Sequence, residues 1–80
     1  MRGLRERGVY ALPDESEVIA VVDIRGTYLL YAPQDWGMYP HVPAMYEVYA
    51  SGRIHYRGGP TRWRIEDLSD TGRTGGLAET

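Results

Sequence analysis

Apolar and polar positions in this chain change spacing every few residues and never hold a helical period. The strongest run is Glu17 to Ile24, containing Val18-Ile19-Ala20-Val21-Val22, followed after Arg25-Gly26 by Thr27-Tyr28-Leu29-Leu30-Tyr31-Ala32. β-Branched and aromatic side chains fit a pleated, half-buried surface, so the two runs predict a hairpin. A three-residue loop, Ile24-Arg25-Gly26, with Gly26 in the left-handed region, sets Val22 opposite Tyr28 and Asp23 opposite Thr27. A two-residue loop would set Asp23 opposite Tyr28, on the face of Val21 and Leu30. The three-residue register keeps like with like and is preferred.

The same reasoning applies to Met45-Tyr46-Glu47-Val48-Tyr49 and Arg53-Ile54-His55-Tyr56-Arg57 around Ala50-Ser51-Gly52. A loop ending in Gly52 pairs Val48 with Ile54 and Tyr46 with Tyr56 on one face, and Glu47 with His55 on the other. A third strand, Thr61 to Ile65, follows Gly58-Gly59-Pro60. Placing Tyr56 opposite Trp63 sets Arg57 opposite Arg62 and His55 opposite Arg64, so that core residues alternate with Arg.

Val9 to Leu12 predict a further short strand, Pro13 to Ser16 a turn, and Glu66 to Asp70 one helical turn. Residues 1–8, Arg-rich and with two Gly, read as a flexible arm, residues 9–68 as a single β-rich domain, and residues 69–80 as a flexible Gly-rich tail. The expected class is mainly β: a small antiparallel open barrel or twisted sheet of about five strands, SH3-like in architecture.

Composition tightens this picture. Eighty residues allow one core, and a chain of this size buries only about 60% of its unfolded surface. There is no Cys, so neither a disulfide nor a cysteine-ligated metal supplements that core. The aromatic residues are seven Tyr and two Trp with no Phe, so every ring carries a hydrogen-bonding tip and suits a half-wet surface. All nine basic residues are Arg, and the net charge of −2 argues against a generic polyanion binder. No apolar run approaches the ~20 residues of a spanning helix, and Met1 to Gly8 lack a signal core, so the expected location is cytoplasmic, away from membranes.

Motifs for chemistry are sparse. Asp70-Thr71-Gly72 is the triplet that carries the catalytic Asp of aspartic proteases, but such sites need two of them in rigid turns, and a turn or cap is the expected role here. His41 and His55 lack a second metal ligand at any usual spacing, and Gly58-Gly59 lacks the Lys-Ser/Thr of a phosphate loop. The expectation is a non-enzymatic chain without cofactor or metal.

Three surfaces stand above background. Both faces of the first hairpin are apolar, and the face of Ile19, Val21, Leu29 and Tyr31 needs a cover from the long loop, the N-terminal segment or another subunit. The loop Pro33 to Pro43 carries Trp36, Met38, Tyr39 and His41, residue types common at interface centres. Together these residues predict a module that self-associates, as a homodimer, or binds a protein or peptide. The third surface is basic: Arg53, Arg57, Arg62 and Arg64, with His55 among them and Tyr49 beside Arg53. Cations with exposed rings suit single-stranded nucleic acid or another acidic ligand, the alternative function.

Overall fold

A computed structural model of the chain describes residues 3–23 and 25–75. Strands β1 (Gly8–Ala11), β2 (Glu17–Val22), β3 (Tyr28–Tyr31), β4 (Tyr46–Val48), β5 (Arg53–Tyr56), β6 (Gly59–Arg64) and β7 (Ser69–Thr74) make one antiparallel sheet in the order β6-β5-β4-β3-β2-β1-β7. A short helix α1 (Pro33–Trp36) follows β3, and a 3-10 turn at Ile65–Asp67 links β6 to β7.

Both predicted hairpin registers are present. Val22 pairs with Tyr28, the Asp23 amide donates to the Thr27 carbonyl, and Gly26 takes φ 83°. Val48 pairs with Ile54, Tyr46 with Tyr56 and Glu47 with His55, with Gly52 at φ 92°. These loops end where a residue must turn left-handed, which a Cβ resists.

The third register differs from expectation. Arg57 and Gly58, at φ 51° and 87°, form a two-residue turn of the kind that suits the strand twist. This sets Tyr56 opposite Gly59 and His55 opposite Pro60, not opposite Trp63 and Arg64. The surplus residues are taken up in a bulge before Arg64, which pairs with Arg53.

The sheet has seven strands where about five were expected, and it does not close into a barrel. The clearest addition is β7, assigned to the tail from its Gly and polar content. Its exposed side chains give no apolar alternation, and it is held instead by pairing with β1. Residues 76–80 of the expected tail lie outside the described residues.

Residues 3–8 of the expected flexible arm are tied down. Leu4 is buried in the core and its amide donates to the Tyr28 hydroxyl. The Arg5 guanidinium holds both Asp70 carboxylate oxygens, at 3.0 and 2.5 Å, and donates to the Thr74 hydroxyl and the Arg73 carbonyl. Asp70 also accepts from the Gly72 amide, so the Asp-Thr-Gly triplet, expected as a turn or cap, instead lies within β7 at its bulge against β1 and anchors the arm.

The sheet carries a cluster on each face. Leu4, Tyr10, Leu12, Val18, Ala20, Leu30, Val48, Ile54, Ile65 and Leu68 fill the inner one. Val9, Ile19, Val21, Tyr31 and Trp36 fill the outer one.

Candidate binding face

The loop after β3 covers half of the outer face. Pro33 sits in the first turn of α1, where its missing amide donor is no loss, and the turn delivers Trp36 onto β2 and β3. Trp36 stacks on Tyr39 at 4.9 Å between centroids, and Tyr31 meets the Tyr39 ring edge-on at 5.2 Å. Val42 and Ala44 extend the cover. Ile19, Val21, Tyr31 and Trp36, expected to meet a partner, are therefore interior residues of this chain. Of that group Met38, at 51% exposure, and His41 remain exposed, while Leu29 and Tyr39 are half-buried. The long loop is the missing cover.

The cover stops at β3. Beyond it the outer face carries two rows of side chains across the sheet. Tyr28 pairs with Val48, so one residue further Thr27 stands level with Tyr49. The Tyr49 amide donates to the Arg53 carbonyl, and Arg53 pairs with Arg64, giving the row Thr27, Tyr49, Arg53, Arg64. Asp23 flanks Thr27, whose hydroxyl reaches the Asp23 carboxylate at 3.4 Å. The second row is Leu29, Glu47, His55, Pro60.

In the first row Asp23, paired with Arg25 at 3.4 Å, flanks one end and Arg53 and Arg64 form the other; in the second Glu47 adjoins His55. Asp23 and Glu47, with Arg25, Thr27, Leu29 and Tyr49, line a groove of about 280 Å³ between β3 and β4. Arg53 and Arg64 stand on the opposite side, with exposed Arg62 nearby on β6. Between them Tyr49 stacks on His55 at 3.7 Å and 14°, while the Tyr49 side of the pair stays 42% exposed. The His55 Nδ1 atom is buried under this stack without a hydrogen-bond partner.

The basic group expected from the sequence is thus partly assembled. Arg53, His55, Arg64 and Tyr49 share the face, and their guanidinium groups are anchored: Arg53 donates to the Thr61 carbonyl and Arg64 to the Ser51 carbonyl. Arg64 also lies 3.6 Å from Glu66. Arg57 leaves the strand register in its left-handed turn, its guanidinium over the Tyr56 ring, and lines a second groove with Glu47, Asp35 and Val42 at the end of the face.

Glu47 stands opposite His55 on this face as expected, but Asp23 and Thr27 were not legible as parts of it, because the β3–β4 register spans the long loop and no turn fixes it. It also assigned Tyr46, Tyr56 and Trp63 to the core, whereas Tyr56 is exposed and the other two half-buried at the rim of the inner face. The polar tip on each ring was the available signal. Burial, with Asp14 and Tyr56 nearby, raises the Tyr46 phenol above its ordinary value.

Among the described residues no three His, Asp or Glu side chains converge as a metal site, and no helix is long and apolar enough to cross a membrane. No known protein family, curated protein or solved structure matches the chain.

Proposed function

We propose that this chain is a small non-enzymatic interaction module whose contact surface is the uncovered half of the outer face, from Thr27 to Arg64, and whose ligand is a protein or peptide. One observation carries the reading: a sheet face with an exposed ring at its centre and charge of both signs around it lies beyond the reach of the covering loop. An aromatic centre with a polar rim is the anatomy of a protein interface. The architecture is read as an open barrel of SH3-like kind, supported by the return of the last strand to pair with the first.

The test is a 15N–1H NMR titration with an acidic peptide, a basic peptide and the protein itself. Shifts confined to residues 27–29, 47–55 and 62–64 support the reading. Shifts centred on Met38 and His41 overturn it.

A second reading, single-stranded nucleic acid on Arg53, Arg62 and Arg64 with a base stacked on Tyr49, is favoured by the concentration of cations on β5 and β6. It predicts oligo-dT affinity that falls with salt by a log–log slope of about −0.7 per phosphate contact. Arg62→Ala weakens it and Arg57→Ala weakens it less, since the Arg57 guanidinium is held over the Tyr56 ring at the end of the face. No binding at low salt removes this reading.

A further inference from the structure

We infer that the uncovered face is complementary to itself and that its partner is a second copy of this chain. The inference rests on the contact surface proposed above and names what occupies it. A two-fold interface brings the same patch of both subunits together, so each group must find its complement within that patch. The two rows meet this condition about one axis, parallel to the strands and lying between β4 and β5.

Rotation about that axis exchanges β4 with β5 and β3 with β6. In the first row Tyr49 then lies over the partner's Arg53, a cation above a ring. Asp23, which within its own chain pairs with Arg25 at 3.4 Å, and Thr27 lie over the partner's Arg64, so a carboxylate shared with Arg25 faces a guanidinium. In the second row Glu47 lies over the partner's His55, and Leu29 over the partner's Pro60. No position in either row meets a like charge.

Alternative occupants account for less of this face. A polyanion explains Arg53 and Arg64 but meets Asp23 and Glu47 in the adjoining groove. An apolar peptide explains Leu29 and Tyr49 but leaves the charges unanswered. A standard interface takes about 800 Å² from each partner, roughly a sixth of the 4913 Å² surface described here, and the two rows are narrower than that. The dimer is accordingly weak and salt-sensitive.

Charge exchange tests it. Arg64→Glu sets carboxylate against carboxylate in both symmetric contacts, and Asp23→Arg sets guanidinium against guanidinium. In a mixture of the two variants both contacts are attractive again. Sedimentation velocity from about micromolar to millimolar protein at low salt should show a concentration-dependent dimer for the unmodified chain. Each variant alone should be monomeric, and the equimolar mixture should dimerise, which also establishes that both variants fold.

A monomer at about millimolar concentration overturns the inference, and so does a dimer indifferent to both substitutions. If the unmodified chain stays monomeric while the NMR titration still maps a peptide onto this face, only the choice of partner fails. If oligo-dT binds a strict monomer, the second reading takes its place.

Discussion

Tyr31 records what the covering loop does to a single side chain. Burial beneath Trp36 and Tyr39 is the first cause that raises its phenol above the ordinary value of 10.0, with Tyr39 and Asp23 adding to it. An unfolded chain releases this proton near pH 10, while the folded chain retains it to higher pH. The unfolded state is then favoured by every further step upward, so stability is fully present below about pH 10 and is lost as the pH rises through the folded value. Tyr46 adds to the same loss, its phenol raised first by burial. Thermal melts between about pH 9 and 11 should show a falling midpoint, with a shallower slope in Tyr31→Phe and a shallower one still in Tyr31→Phe/Tyr46→Phe. Equal slopes in all three proteins would mean that these phenols are open to solvent.

The elements at the two edges of the sheet repeat one device. On β6 the Thr61 hydroxyl donates to the Ile54 carbonyl at 2.6 Å and accepts from the Trp63 amide at 3.1 Å. On β7 the Thr71 hydroxyl donates to the Val9 carbonyl at 2.7 Å and accepts from the Arg73 amide at 3.2 Å. In each case three residues of the edge strand face one residue of its neighbour, and an amide that could pair with another chain is turned onto its own strand. Bulged edges resist open-ended pairing, which directs contact to the face of the sheet. Thr61→Val and Thr71→Val should each cost about 1 kcal/mol in denaturant unfolding, the net value of an ordinary hydrogen bond. The double variant should also associate in a salt-insensitive way, unlike the dimer proposed at Tyr49 and Arg53. The device explains how much of the fold was legible. Hairpin registers follow from local turns, so Gly26 and Gly52 placed Val22 opposite Tyr28 and Glu47 opposite His55 correctly. The bulges depend on a Thr reaching across to another strand, so β6 came out with the wrong partners and β7 went unrecognised as a strand. The candidate face was legible in the β4–β5 hairpin and in Arg64, whereas Asp23, Thr27 and Leu29 join it only across the long loop, whose register no turn fixes.

For the whole molecule, the decisive feature is that 80 residues without a disulfide support clusters on both faces of one sheet. The inner cluster draws on most of the strands, the arm through Leu4 and the crossover through Ile65 and Leu68. The outer cluster is closed by one loop, and within that loop Trp36 is the buried residue in contact with Tyr31 and Tyr39. Truncating a buried aromatic side chain costs about 3–5 kcal/mol, against a total stability of about 5–15 kcal/mol for a whole domain. Trp36→Ala should therefore remove a large share of the stability while leaving the strand pairing in place. Its thermal midpoint should fall steeply and the near-ultraviolet circular dichroism of the aromatic stack should weaken. An apolar dye should bind the uncovered Ile19, Val21 and Tyr31. Met38→Ala, two residues away on the exposed side of the same loop, should change none of these readings. With its loop loosened, the Trp36→Ala protein should also stick to itself through the bare hairpin face, and that association should persist in high salt. The dimer proposed at Asp23 and Arg64 should dissolve under the same conditions. If Trp36→Ala melts like the unmodified protein and stays monomeric in high salt, the loop does not serve as the cover of this sheet.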